Sequence, residues 1–314
     1  MTPTRTTPAP GILLVDKAGG MTSHDVVAKA RRALGTRKVG HAGTLDPMAT
    51  GLLVLGVEGA TRLLTYIVGL DKTYEATIRL GVATDTDDAD GQTVAVSDAS
   101  AVASDEITAA IAALSGEISQ VPSTYSAIKV DGKRAYDLAR AGEEVELKAR
   151  RVTVSRFEVR AERRAHGVID LDVVVDCSSG TYIRSLARDL GAALGVGGHL
   201  TALRRTRIGP FDVADATSMD DVIEAAASQA EPAGTPRLTL RTPADVATAV
   251  LGRFDVSEQE ARDLRHGKRL SGAAARLTAN PTAAIDPSDA LVGIVEKRGD
   301  DVKSAMNMPE GASR

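Results

Sequence analysis

An aspartate followed by a proline sits inside an unusually punctuated segment, Gly40-His41-Ala42-Gly43-Thr44-Leu45-Asp46-Pro47-Met48-Ala49-Thr50-Gly51. Glycines and a proline turn the chain tightly, and a loop held by rigid neighbours can present a carboxylate for chemistry. Residue types alone leave two readings of Asp46. It can cap a helix that begins at Pro47, which is the more economical of the two. The loop can cradle an anion, although the GxxxxGK[ST] spacing of a phosphate loop is absent.

Taken alone, other residues read plainly. Arg184, in Gly180-Thr181-Tyr182-Ile183-Arg184, reads as a surface arginine on an amphipathic helix, and Tyr74, in an alternating strand, as core. The five histidines show no metal-ligand spacing, so no metal is expected. In Thr84-Asp-Thr-Asp-Asp-Ala-Asp-Gly91, placing Gly91 at position six of a calcium loop leaves Thr86 first and Ser97 twelfth. Neither is the required acid, so the stretch reads as a turn. Cys177 has no evident base and reads as a half-buried strand thiol.

These residues need elements to position them. Gly11–Val15, Leu52–Val57, Tyr74–Leu80, Val152–Val159 and Val168–Asp176 read as strands, the last alternating Ile169, Leu171, Val173 and Val175 with acids. Thr22–Leu34 reads as a helix with a Thr22/Asp25 capping box, and Ser104–Leu114 as one capped by Ser104 with Gly116 past its end. Thr181–Leu194 and Ser218–Ala227 complete the helices, and 35–51 reads as loop throughout. Ser228–Pro236 is linker-like. After about residue 249, short apolar pieces such as Val250–Val256 and Ala290–Val295 suggest a small, mainly β appendage. Strands and helices mix without a βαβ rhythm, so the fold class is α+β with a largely antiparallel sheet.

Length and composition fit two domains of a water-exposed chain: 314 residues, 43% hydrophobic and 25% charged. No apolar run approaches the roughly 18 residues of a membrane span. Met1–Pro10 reads as a disordered tail with no signal-peptide pattern. One cysteine suggests a reducing compartment, hence the cytoplasm. The net charge of -4 disfavours nucleic acid at first sight, but the distribution does not. Residues 1–66 hold 8 basic and 4 acidic side chains and 129–210 hold 16 and 11, against 2 and 10 in 71–127. Positive charge gathers in the two stretches that carry the motifs.

Read whole, Gly40–Gly51 closely resembles the signature loop of bacterial tRNA pseudouridine-55 synthases, the TruB family. Further motifs follow in the family's order: Asp16-Lys17-Ala18-Gly19-Gly20-Met21-Thr22-Ser23, Lys72-Thr73-Tyr74-Glu75-Ala76, Tyr125–Lys129 with Gly132 and Ala135–Arg140, Cys177–Arg184, and Gly198–Arg205. Ala18 stands where the family usually carries proline, which loosens the backbone beside Lys17.

The resemblance implies a pseudouridine-synthase catalytic fold at 11–248, a PUA-like RNA-binding domain at 249–306 and a disordered tail at 307–314. It implies Asp46 as the catalytic nucleophile and Arg184 as its partner. Tyr74 would stack on a flipped uracil, His41 would fill the vacated space, and Ile183 and Leu203 would wall the pocket. Tyr182 would support the Asp46–Arg184 pair, and Lys17 completes the substrate-binding set. The substrate would be the T-stem-loop of tRNA, handled by a monomer without guide RNA, membrane, metal or cofactor, since the isomerisation is redox-neutral. Phosphate contacts would come from Arg31, Arg32, Arg37, Lys38, Lys129, Lys133, Arg134, Arg140, Arg150, Arg151, Arg204, Arg205 and Arg207, reading RNA shape. A tRNA-folding chaperone, a guide-dependent synthase and a non-RNA enzyme with an Asp–Arg pair remain as alternatives.

Overall fold

The computed structural model describes residues 8–125, 129–130, 133–134, 147–227 and 238–309, with the backbone alone at 129–130 and 133–134. Most of the Tyr125–Arg140 motif, the side chains of the phosphate-contact candidates Lys129, Lys133 and Arg134, the candidate Arg140, the 228–236 linker and the outermost parts of both tails lie outside the described residues. The chain forms two compact units. One comprises Met1–Pro47, Gly51–Val68 and Gly209–Arg314; the other comprises Met48–Thr50 and Gly69–Ile208.

In the first unit, Gly11–Lys17 pairs antiparallel along its whole length with Thr50–Val57, from Gly11↔Val57 to Lys17↔Gly51. Thr217–Ser218 adds a short parallel partner on the other edge. Both apolar runs are buried almost throughout, as expected of strands covered on two faces. The helix Ser23–Leu34 packs beside them. Its capping box forms as the sequence predicts, with Thr22 accepting from the Asp25 amide and Asp25 accepting from Thr22. Val26, Val27 and Ala30 join Leu13, Val15, Leu53, Leu55 and Val222 in one core.

The same unit carries a four-stranded C-terminal sheet in the order Arg253–Asp255, Thr282–Ile285, Leu291–Arg298, Asp301–Asn307. It has its own core of Phe254, Leu264, Leu270, Ala284, Val292 and Val302. Two helices there differ from the sequence reading. Val250 is helical, within Pro243–Leu251, and Glu258–Arg265 is a helix with a Ser257/Glu260 capping box. The second is mostly charged, burying only Ala261 and Leu264, so its apolar stripe is too thin to register as a period.

The second unit is a five-stranded antiparallel sheet: Gly198–Ile208, Lys72–Leu80, Val168–Cys177, Arg150–Ala165 and Gly116–Gln120. Alternation is strict, with Tyr74, Ala76, Ile78, Leu171, Val173 and Val175 on the buried face. The helix Ile183–Ala193 packs on this sheet. Gly191 permits the approach, because a Cβ there would overlap the backbone of Gly197 and Gly198.

Two local expectations are corrected. Residues 35–51 are not all loop: Val39–Ala42 pairs with Thr50–Val57. The helix Ser104–Ala113 is capped at Ala103, whose amide donates to Glu106, while Ser104 donates to Glu162. Gly116 lies just past the end of that helix, as the sequence predicts, and opens the next strand. Among the described residues no helix is long and apolar enough to cross a membrane.

Candidate active site

Asp46 is half-buried in an irregular stretch of the first unit, with no helix behind Pro47, so the cap reading falls away. What holds the stretch is Lys17. Its side chain is fully buried, and its ammonium donates to the carbonyls of Ala18 (2.9 Å), Met21 (2.8 Å) and Pro47 (3.2 Å). The Gly20 amide reaches the same Pro47 carbonyl at 2.9 Å. Ser23, also buried, bonds both the amide and the carbonyl of Leu45. The residues on either side of Asp46 are thereby fastened to the Lys17–Ser23 turn. That bracing includes Ala18 despite its lost proline. Lys17, grouped with the substrate-binding residues, is placed as a brace beneath the loop.

His41 lies on the strand Val39–Ala42, opposite Leu55, with its ring edge-to-face against His24 at 5.5 Å between centroids. Lys17, His41 and Asp46 therefore share the first unit. Tyr74, Tyr182, Ile183, Arg184 and Leu203 belong to the second.

In that unit Tyr74 and Leu203 sit on one face of neighbouring strands, where Leu203 opposes Ala76 and Arg205 opposes Tyr74. Lys72 precedes Tyr74 by one alternation and is buried on the same side. Burial, with repulsion from Arg205, lowers the Lys72 ammonium to about 8. Arg205 is itself almost fully buried, so it leaves the set of surface phosphate contacts. Across the strand, burial raises the Cys177 thiol to about 11, so it stays protonated at neutral pH, as an unreactive strand thiol should.

Tyr182 is the N-cap residue of the helix that bears Arg184, and Gln120 fixes it by bonding both its amide (2.9 Å) and its carbonyl (3.1 Å). Ile183 is buried beside it. The Arg184 side chain is only 4% exposed and ion-pairs with Asp88 at 3.2 Å. Its guanidinium also donates to the carbonyls of Thr86 (2.9 Å) and Tyr125 (2.8 Å) and lies 3.5 Å from Ser123. A guanidinium so caged has a fixed direction, which a surface arginine lacks.

Asp88 is the residue that sequence reading missed. It lies in the acidic stretch taken for a simple turn, with Thr86 donating to its carboxylate at 2.6 Å and Thr84 to its carbonyl at 2.8 Å. Gly91 closes the loop where a Cβ would overlap Thr86 and Asp85. No local signal marks it, because its partner Arg184 lies 96 positions away.

A cavity of about 610 Å³ opens within the second unit, lined by Met48, Thr50, Glu75, Thr77, Leu203 and Arg204 among others. Of the residues expected at the site, Leu203 lines it.

Three family descriptions match the chain consecutively. They are TruB family pseudouridylate synthase (N terminal domain) at 31–183, tRNA pseudouridylate synthase B C-terminal domain at 184–245, and tRNA pseudouridine synthase II, C terminal, at 251–309. Relatives named tRNA pseudouridine synthase B include one from Leifsonia xyli, 56% identical over 95% of this chain and 96% of the relative. Another, from Nocardia farcinica, is 54% identical over 94% of this chain and 92% of the relative. Among solved structures, an H/ACA RNP bound to a substrate RNA containing 2′-deoxyuridine matches with TM-score 0.70 at 25% identity, over 97% of this chain and 87% of that one. A Cbf5–Nop10–Gar1 complex matches with TM-score 0.66 at 26% identity, covering 97% and 81%. Identity of this order along nearly the whole length shows that the chain belongs to the TruB family of pseudouridine synthases.

Proposed function

We propose that this chain converts uridine 55 in the T-loop of tRNA to pseudouridine, with Asp46 as the nucleophile acting on a flipped-out base. The observation that carries the reading is the loop around Asp46, fastened on both sides by Lys17 and Ser23 while the carboxylate stays half-exposed. Such bracing is the preorganisation that nucleophilic catalysis needs.

The reaction breaks the bond from C1′ to N1 of uracil and remakes it to C5. The Asp46 carboxylate attacks C6 or C1′, or removes a sugar proton that lets the base depart. All three routes need it ionised and aimed, which is the role assigned to the caged Arg184. Tyr74 stacks on the extruded base, Leu203 and Ile183 wall it, Tyr182 supports the pair, and His41 occupies the gap left in the RNA. The RNA-binding surface runs from a catalytic domain at 11–248 to a PUA-like domain at 249–306. The enzyme works in the cytoplasm as a monomer on tRNA itself, without guide RNA or cofactor.

The test is tritium release from an unmodified tRNA transcript labelled at C5 of uridine. Wild type should release tritium from one T-loop uridine, while Asp46→Asn binds the transcript and releases none. Wild type that binds tRNA yet leaves every uridine unchanged would instead favour a tRNA-folding role.

A further inference from the structure

We propose that Asp87 and Arg188 form an outer clamp that positions Arg184, and that both are positioning residues for the isomerisation. This rests on the reading of Arg184 as part of the uridine-modifying site. Arg184 and Arg188 are one helical turn apart on Ile183–Ala193 and so share a face. They meet two consecutive aspartates: Asp88 lies 3.2 Å from Arg184, and Asp87 lies 3.4 Å from Arg188.

Consecutive residues of an extended chain point to opposite sides. Asp87 escapes this by adopting φ +62°, a left-handed conformation that aspartate tolerates better than most residues. The twist lets both carboxylates reach one helix. The Asp87 carbonyl accepts from the Leu200 amide at 3.0 Å, which bolts the twisted residue to the strand Gly198–Ile208. Strained backbone kept in a loop invites a functional explanation.

The two arginines also span the same two segments. Arg184 bonds Thr86 and Asp88 on one side and Ser123 and Tyr125 on the other. One turn later, Arg188 pairs with Asp87 on the first side and donates to the Val121 carbonyl at 2.7 Å on the second. Each segment forming the Arg184 cage is thus pinned a second time from the same helix. Arg188 also bonds its neighbour Asp189 at 2.9 Å, which keeps its guanidinium extended along the surface. Its side chain is 30% exposed and that of Asp87 12%, so the clamp is the outer, wetter member of the two pairs. Asp87 is buried and Arg188 half-buried, so melting temperature is what separates a rate loss through the geometry of Arg184 from a loss of stability.

The experiment compares wild type, Arg188→Gln, Arg188→Lys, Asp87→Asn and the double variant Asp87→Asn/Arg188→Gln, with Asp46→Asn as reference. Single-turnover rates, KM, transcript affinity and melting temperature are measured on an unmodified tRNA transcript. Arg188→Gln and Asp87→Asn should each lower the rate about tenfold, with KM and affinity within about twofold and folding retained. The double variant should be no slower than either single one, because one clamp is lost in each case. Arg188→Lys should recover part of the rate. Unchanged rates, a rise in KM alone, or losses that multiply in the double variant would overturn the clamp. An inactive wild type, or an active Asp46→Asn, would instead sink the site reading on which it depends.

Discussion

Two aspartate–arginine pairs, each joining a loop to a helix, sit in different environments. In the pair of Asp88 and Arg184, the side chains are 6% and 4% exposed. In the C-terminal sheet domain, Asp286 and Arg265 pair at 2.8 Å with side chains 11% and 24% exposed. Burying two charges costs several kcal/mol per ion, and an apolar replacement is often as stable. The inner pair is therefore a poor choice for stability and a good one for fixing the direction of a guanidinium. The outer pair is ordinary architecture. Asp286 also accepts from Ser288 and from the amides of Ser288 and Ala290, closing the turn that follows the strand Thr282–Ile285.

The largest effect should follow removal of the inner charge. Asp88→Asn keeps the shape but removes the carboxylate that ion-pairs with the buried Arg184 guanidinium at 3.2 Å. The rate of pseudouridine formation should fall by about two to three orders of magnitude. Stability should drop by about 3–5 kcal/mol, seen as a lower melting temperature. An intact rate in a folded Asp88→Asn enzyme would break the contrast between the two pairs. Burial also decides how Arg184 itself is probed. The sequence suggests that Arg184→Ala would lose activity while folding and tRNA affinity hold, whereas the burial of Arg184 makes Arg184→Lys the cleaner variant.

That difference marks where the sequence stops being legible. The strands and the helix that carry the site are readable because period and capping chemistry are local: Thr22 and Asp25 sit three residues apart, and Ile169 to Val175 alternate in plain view. Asp46, Tyr74 and Arg184 become specific through motifs whose order survives along the chain. Asp88 was not legible as a partner, because Arg184 lies 96 positions away and nothing local links them. Val39–Ala42 was missed because two of its four residues are glycine and histidine, and its pairing with Thr50–Val57 is tertiary. The helix Glu258–Arg265 was missed because charge dominates it and only two residues are buried.

A smaller effect is expected from acid titration of the outer pair. Burial raises the Asp286 carboxyl, but Ser288, Arg265 and two backbone amides outweigh it, and the group is lowered to about 2. A folded-state value below the ordinary 3.8 means that the contribution is complete above pH 3.8 and lost as pH falls through about 2. Its size is on the order of 2 kcal/mol. Asp286→Asn should accordingly flatten the dependence of unfolding free energy on pH between those values, measured by denaturant titration of the whole chain. The rate at saturating tRNA should not change.

The smallest effect is the most discriminating. Arg265→Gln removes one of several groups that hold the Asp286 carboxylate, and the serine and amide bonds remain. The loss should be about 1 kcal/mol, as for other partly exposed pairs, with the turn still closed. The acid transition should move upward by less than in Asp286→Asn, since part of the lowering persists. Transcript affinity should hold, because the guanidinium is already committed to Asp286. If Arg265→Gln instead weakened tRNA binding while leaving stability alone, the outer pair would be a recognition element. The contrast would then lie between two functional pairs of different depth, and exposure alone would no longer separate architecture from chemistry in this fold.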